Sequence, residues 1–236
     1  MVEIETSIDA IAQMKQDSVK LIAISFLVLS KKLIGKHSGF DLEEITKLTL
    51  QAGNQSAHAH IIVVRMEVLV FFQKWDEATS LLIEAGDLRK ILVAEFLNPR
   101  FTFLEALISI KAAQDEAIPW LMRRRWKKRA MKSLKLIRSW VKKGNPNVLH
   151  YLDLLEAELA ALDGKNDKAE EKYKLALAVS ATNGLVQDKA LSHELASAYF
   201  GRIGDNYWRN YHLGKCKECF TEWGATALVV RLTGSS

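Results

Sequence analysis

At 236 residues, the chain is long enough to bury roughly 70–75% of the surface that its unfolded form exposes, so its core does not depend on disulfide bonds. Its composition, 49% hydrophobic and 26% charged, is ordinary for a soluble globular protein, and two cysteines provide no disulfide framework. The start of the chain is too polar for a signal peptide, and the most apolar run, Leu21 to Leu29, is far shorter than the roughly twenty residues that cross a bilayer. These features predict a cytoplasmic protein without a transmembrane segment.

The scarcity of helix breakers predicts an all-α fold. The first helix is expected from Glu3 to about Gly35, and Asp41 with Glu44 predicts a capping box for a second helix that ends near Ala52. Three prolines occur in the chain, and each stands where a further helix is expected to begin: Pro99, Pro119 and Pro146.

The run from Ile61 to Phe72 is rich in isoleucine and valine and is therefore the segment most compatible with a strand. A single helical stripe nevertheless collects its apolar side chains, Val64, Val68, Phe71 and Trp75, and no turn signal precedes it. We therefore predict a helix. Beyond it, a small-large-small spacing follows at Ala78, Leu82 and Ala85.

Three more helices are predicted before residue 146. A short one runs from Asp87 to Asn98, another from Phe101 to Gln114, and a long one from Pro119 to Lys143.

The long helix is strongly basic. From Arg123 to Lys143 there are eleven Lys or Arg residues and no Asp or Glu, so the rest of the chain carries a net charge of −6 against +5 for the whole. Such a face could hold phosphates, an acidic partner or an anionic membrane, and Trp126 and Trp140 interleave with it, as in many RNA-binding proteins. The candidate partner-binding residues are Arg123, Arg124, Arg125, Lys127, Lys128, Arg129, Lys132 and Lys135.

A plainer interpretation of this helix is favoured. One stripe holds Met122, Trp126, Ala130, Leu134, Ile137 and Val141, so both tryptophans would face the core while the charges are solvated or paired within the protein.

The segment from Asn147 to Leu232 predicts paired helices in series. One helix ends at Gly164, and the next carries Ala169, Tyr173 and Ala176, a small-large-small face that lets a partner helix approach closely. A third helix follows Gly184, and a fourth runs from about Asp205 to Trp223. The fourth has Arg209 where a small residue is expected, so it indicates a divergent repeat.

The sequences from Glu156 to Leu185, from Ala190 to Phe200 and from Phe220 to Leu232 resemble the tetratricopeptide-like helical region of large multidomain signalling proteins. The most specific resemblance is the ending Trp223-Gly224-Ala225. Those proteins typically combine a serine/threonine-kinase-like domain, a STAND-class NTPase domain, this helical region, and a GAF sensor with a histidine kinase or nucleotidyl cyclase. The resemblance implies an interaction or regulatory arm without chemistry of its own, cut from a longer chain.

No motif for catalysis or nucleotide binding occurs. His212, Cys216 and Cys219 share one helix face, but structural zinc requires four ligands, so packing is the favoured role. His58 and His60 do not form a ligand pair, and a surface or capping role is expected. His193 has no partner that the sequence identifies. No catalytic residue, metal or cofactor is predicted.

The sequence therefore predicts an all-α, tetratricopeptide-like solenoid of about twelve helices in antiparallel pairs. It forms a single domain, 1–236, with divergent pairs in 1–146 and better-matched repeats in 147–232. The expected function is non-catalytic: a regulatory or protein-interaction arm that binds a peptide or a neighbouring domain in its groove. The alternative is binding of nucleic acid or an acidic ligand through the basic helix, residues 123–143.

Overall fold

The computed structural model describes residues 17–51, 53–93 and 97–234, and every regular element in these ranges is a helix. The eleven α-helices are α1 (Asp17–Leu33), α2 (Leu42–Gln51), α3 (Gln55–Phe71), α4 (Trp75–Ala85), α5 (Leu97–Gln114), α6 (Trp120–Lys142), α7 (Leu149–Leu162), α8 (Asn166–Thr182), α9 (Val186–Arg202), α10 (Asn206–Trp223) and α11 (Thr226–Gly234). Short 3-10 turns lie at Leu88–Lys90 and Pro146–Val148. The prediction of an all-α chain is thus confirmed for these residues.

The chain divides into two compact units between Phe101 and Thr102. In the first unit, α3 packs against α1, α2 and α4. The run from Ile61 to Val64 lies inside α3 and is buried, which settles the choice between strand and helix in favour of the helix. The isoleucines and valines that suggested a strand are buried on several sides of this helix, so their β-branched character reflects a core position. The prediction of one continuous repeat domain, 1–236, stays a prediction.

In the second unit, consecutive helices pack in a series. Helix α6 contacts α7, and each helix from α7 to α10 contacts its successor. Helix α7 also contacts α9, two helices further along the chain. Helix α9 is the central element of this series, and all its residues from Ala190 to Ser197 are buried. Each helix of this series thus packs mainly against its neighbours along the chain.

The helices of the second unit end at regular intervals. A glycine with a positive φ follows each helix from α6 to α10, with 20 residues between successive glycines: Gly144, Gly164, Gly184, Gly204 and Gly224. Their φ angles lie between 65° and 86°, the left-handed region that glycine adopts without a steric penalty. A pair of helices therefore occupies 40 residues, which is longer than the 34 of a standard tetratricopeptide repeat and close to other two-helix repeats.

A buried ionic network joins α5, α7 and α8. The Glu158 carboxylate, with no exposed surface, accepts hydrogen bonds from Lys111 Nζ at 2.7 Å, from Gln114 Nε2 at 3.0 Å and from Tyr173 OH at 2.6 Å. Burial lowers the pKa of Lys111. Burial alone would raise the pKa of Glu158, but the Lys111 charge and the hydrogen bonds from Lys111 and Tyr173 lower it. The network fixes Tyr173 of the predicted small-large-small face.

Some predicted details differ from the structure. In the described part of the helix expected from Asp87 to Asn98, Leu88–Lys90 form a 3-10 turn, and Leu97 and Asn98 already belong to α5. Pro99 follows within the first turn of α5, where its missing N–H costs nothing. The first predicted helix begins in residues that lie outside the described ranges, and its described part is α1.

Candidate binding surfaces

A cavity of about 390 Å³ opens between α8 and α10, above α9, in the second unit. Helix α8 contributes one wall and α10 the other, while His193 and Phe200 of α9 form the floor. The complete lining is Glu170, Tyr173, Lys174, Leu177, Ala178, His193, Phe200, Trp208, Tyr211 and His212. A volume of this size is within the range of ligand pockets in proteins.

The cavity has an aromatic wall. Phe200 stacks on His212 with ring centroids 5.4 Å apart and an interplanar angle of 6°. Trp208 lies 6.2 Å from Phe200 and meets Tyr211 edge to face at 5.3 Å. Trp208 and Tyr211 remain 40% and 44% exposed, so large aromatic surface faces the opening of the cavity. Exposed aromatic surface around a concave site is typical of an interaction site.

Two histidines meet at the base of this wall. His193 Nδ1 lies 2.9 Å from His212 Nδ1, and both side chains are buried. Burial lowers the pKa of His193 to about 3, with smaller contributions from His212, Lys189 and Lys215, and burial lowers the pKa of His212 to about 4. Both rings are therefore neutral at pH 7. At this distance one Nδ1–H donates to the unprotonated Nδ1 of the other ring.

A larger cleft, of about 470 Å³, lies in the first unit and is a weaker candidate. Its lining is dominated by charged side chains, among them Asp41, Glu43, Asp76, Glu84 and Arg65. It has no aromatic side chain in its lining. Ligand sites are mostly apolar with a few convergent polar groups, which describes the cavity above α9 and not this cleft.

The eight candidate partner-binding residues of α6 divide into two groups. Three are held within the protein. Arg123 Nε donates to the Ala113 carbonyl oxygen at 2.9 Å, Lys127 forms an ion pair with Asp163, and Arg129 Nε lies 2.9 Å from Glu105 Oε1. The other five are exposed, lie on one helix face, and form no ion pair within the described ranges: Arg124, Arg125, Lys128, Lys132 and Lys135. We call these five the basic stripe.

The apolar stripe of α6 has the predicted direction over most of its length. Trp126 is 8% exposed and lies beneath the Arg129 guanidinium, and Trp140 is half-buried. Met122, which was expected in the same stripe, is instead 41% exposed. It lies in the first turn, next to Trp120 and Leu121, which are 64% and 58% exposed.

Four of the six residues predicted as a repeat signature are buried. Ala169, Tyr173 and Ala176 are 0%, 1% and 0% exposed. Trp223 is half-buried and stacks near Phe220, with ring centroids 6.4 Å apart. Gly224 ends α10 in the left-handed conformation, and Ala225 is buried.

Of the remaining histidine and cysteine candidates, His60, Cys216 and Cys219 are buried, whereas His58 is half-buried. Cys216 and Cys219 are buried free thiols, and burial raises the pKa of both, which favours the unreactive protonated form. His60, for which a surface or capping role was expected, is 7% exposed, and its Nδ1 lies 2.8 Å from the Ser56 carbonyl oxygen of its own helix. Among the described residues, no three His, Cys, Asp or Glu side chains are placed to hold a metal ion.

Sequence reasoning missed the aromatic cavity. The sequence does not identify the partner of His193, because that partner, His212, lies 19 residues away on the next helix. Tyr211 and His212 follow Trp208 by three and four residues, so all three lie on one helix face, and this spacing is the signal that the sequence offers.

Comparison of the chain with family models, with characterised proteins and with solved structures gives no significant match. Separately, none of the helices in the described part of the chain has the length and hydropathy needed to span a bilayer.

Proposed function

We propose that the chain is a non-enzymatic helical-repeat module that binds a segment of a partner protein by receiving one large side chain in the cavity above α9. The observation that carries this proposal is the aromatic cavity formed by three successive helices, α8, α9 and α10. Stacked helical hairpins bury one side of each helix and leave concave surface for recognition.

The physical basis of binding is the aromatic wall. Trp208 and Tyr211 expose much of their apolar area, and covering it would remove that area from water at about 25 cal/mol per Å². Aromatic side chains are also the residues that most often dominate the energy of protein interfaces. At the rim, Glu170 and Lys174 provide one charge of each sign, so a partner segment could be oriented along α8 without a large net attraction.

The resemblance of the segment from Glu156 to Leu232 to signalling proteins extends this proposal. It assigns the module to a regulatory arm of a longer chain, with any catalytic activity in other domains. A partner or neighbouring domain that occupies the cavity would then favour one arrangement of the arm over another.

The proposal is tested by selecting binders from a random peptide library displayed on phage. Ala178 lines the cavity and is exposed, so Ala178→Trp fills it, whereas Ala181→Trp places the same side chain on an exposed position outside the lining. We expect peptides rich in aromatic residues to be enriched on the wild-type protein and on Ala181→Trp, and lost on Ala178→Trp. Equal enrichment on all three proteins would refute the cavity as the docking site.

A second candidate function is favoured by the basic stripe. Its five cations are exposed and are not neutralised by acidic side chains in the described ranges, whereas Lys127 and Arg129 are. This arrangement fits attraction to a polyanion such as single-stranded nucleic acid. It ranks second because a solvated charged face is common and because Trp126 is buried and not available for stacking on bases.

A further inference from the structure

The His193–His212 pair determines which hydrogen bonds the cavity offers to a ligand. Each neutral imidazole carries one proton. The ring that donates through Nδ1–H has an unprotonated Nε2, which can accept, and the ring that accepts at Nδ1 has Nε2–H, which can donate. The contact of 2.9 Å between the two Nδ1 atoms therefore requires one donor and one acceptor at the two Nε2 atoms.

The described residues leave the Nε2 atom of each ring unengaged. Within the described part of the chain, neither has a hydrogen-bond partner in the protein, and neither is sealed from solvent. Both rings line the cavity, and their Nδ1 atoms are engaged with each other. Nε2 is thus the ring nitrogen left for recognition in each case.

The surroundings of the pair favour an uncharged, flat group. Phe200 stacks on the His212 ring, and Trp208 is 6.0 Å from it. On the opposite side, Leu177 and Ala178 of α8 add apolar surface. The charged residues of the lining are Glu170 and Lys174, one of each sign, so the site offers no net charge to an ionised ligand.

We propose that the cavity above α9 binds a phenol, presented as the tyrosine side chain of the partner segment. This inference rests on the proposed function, since it assumes that the cavity receives a partner side chain. A phenol combines an aromatic ring with a hydroxyl that both donates and accepts, so its hydroxyl can bond to either Nε2. Phenylalanine cannot use either nitrogen, and an indole N–H can only donate.

The histidine pair can present its hydrogen-bond donor and acceptor in two arrangements. Suppose that the proton between the Nδ1 atoms moves from one ring to the other. If the first ring then gains a proton at Nε2 and the second ring loses its Nε2 proton, the donor and acceptor positions exchange. A hydroxyl near either histidine therefore finds a complementary partner. An ether oxygen can only accept, so it is served solely by the Nε2–H of whichever ring carries it.

The experiment compares small probes that differ in one group. Binding of N-acetyltyrosinamide and N-acetylphenylalaninamide to the wild-type protein is measured by NMR titration, together with p-cresol and p-xylene. The imidazole ¹⁵N resonances report on contact with the histidines. We expect each phenol to bind about twofold to tenfold more tightly than its matched hydrocarbon, as one additional hydrogen bond predicts, and to shift an Nε2 resonance.

The double variant His193→Phe/His212→Phe keeps two aromatic rings and removes all four nitrogens. It should bind p-xylene as the wild type does and lose the preference for p-cresol. Because the wild-type probe series is informative without this variant, the test does not depend on whether the variant folds.

The outcomes separate the two proposals. Equal binding of phenols and hydrocarbons, both lost on Ala178→Trp, would overturn the phenol inference and leave the cavity as a docking site. Absence of binding by every probe would also overturn it, while the peptide selection would still decide the proposed function. Preference for phenols retained in the double variant would assign recognition to another group and overturn the role of the histidines.

Discussion

Glu158 shows how much a single residue can matter in this protein. Its carboxylate has no exposed surface, and Lys111 supplies the neighbouring positive charge at 2.7 Å. Breaking a buried ion pair by removing one partner leaves an uncompensated charge, whereas removing both charges avoids that penalty. The Lys111–Glu158 pair therefore restricts how α5 and α7 can pack against each other.

We predict that Lys111→Met lowers the free energy of unfolding by about 3–5 kcal/mol, because Glu158 is left buried without its counter-charge. The double variant Lys111→Met/Glu158→Gln should recover most of the loss, since Gln keeps hydrogen-bonding capacity toward Tyr173 and Gln114. Urea denaturation measures both. As a control, Lys74→Met breaks an exposed pair with Glu77 and should cost no more than about 1 kcal/mol. If Lys111→Met cost as little as that control, the buried pair would not be a structural requirement.

The histidine pair gives a second residue-scale prediction, on pH. His193 and His212 have pKa values lowered from 6.5 to about 3 and about 4, so the unfolded chain takes up protons between pH 6.5 and 4 that the folded protein does not. The free energy of unfolding must therefore fall as the pH falls through this window. Lys189 on α9 and Lys215 on α10 act in the same direction, because their charges disfavour a protonated His193.

Between pH 7 and pH 4.5, each histidine should remove roughly 2 kcal/mol of stability. Other groups titrate over the same range, so the useful quantity is the difference between the wild type and His193→Gln/His212→Gln. Gln keeps a polar side chain and cannot titrate. Urea denaturation at the two pH values should show a smaller loss in the double variant. An equal loss in both proteins would mean that the histidines are accessible to protons in the folded state.

The residue contacts were the part of the molecule that the sequence could not specify. The stripe of Ala169, Tyr173 and Ala176 is visible because it lies within one helix, where spacing alone assigns the face. The partners of Glu158 and His193 lie on other helices, up to 47 residues away. Which side chains meet there depends on the rotation of each helix about its axis, and one residue of change in register turns a side chain by about 100°.

At the scale of helices, the sequence contains a second signal besides the pattern of apolar residues, namely regularly spaced glycines. The glycines from Gly144 to Gly224 recur every 20 residues, and each ends a helix. The small-large-small pattern has Arg209 at a position where a small residue is expected, and the structure places Gly201 of α9 next to this arginine. A Cβ added to Gly201 would lie 3.3 Å from Arg209 Cδ, so the long side chain packs over a glycine. The small residue is supplied by the partner helix.

We predict that the small positions of α8 are required for helix packing. Ala176 is fully buried, and Leu in its place adds volume to a close-packed interface, which should cost about 1–3 kcal/mol. Ala181 lies near the end of the same helix and is exposed, so Ala181→Leu should change stability by less than about 0.5 kcal/mol. Thermal or urea denaturation of the two variants compares them directly. Equal stability would show that α8 does not need a small residue at this position.

At the scale of the whole molecule, the distribution of charge is the feature that composition alone conceals. The net charge of +5 suggests a mildly basic protein, yet residues 123–143 carry +11 and the remainder −6. The number of these positive charges that a partner can reach is smaller, because Arg123, Lys127 and Arg129 are held by groups of the second unit. Of the other eight, Arg138 pairs with Glu156, Lys142 and Lys143 lie at the C-terminal end of the helix, and the five cations of the basic stripe share one exposed face of α6.

The basic stripe leads to a prediction about polyanions. A labelled oligothymidylate should bind weakly at low salt, and five phosphate contacts to a single strand predict a slope of about −3.5 in a plot of log K against log salt concentration. Replacing Arg124, Arg125, Lys128, Lys132 and Lys135 by Gln should abolish this binding. The matched control replaces five exposed lysines elsewhere, Lys36, Lys90, Lys165, Lys168 and Lys217, and changes the net charge equally. Fluorescence anisotropy across a salt series measures all three proteins. If both variants weaken binding equally, the attraction follows net charge and the stripe is only a solvated face. If only the stripe variant loses binding, the stripe on α6 is a polyanion-binding surface.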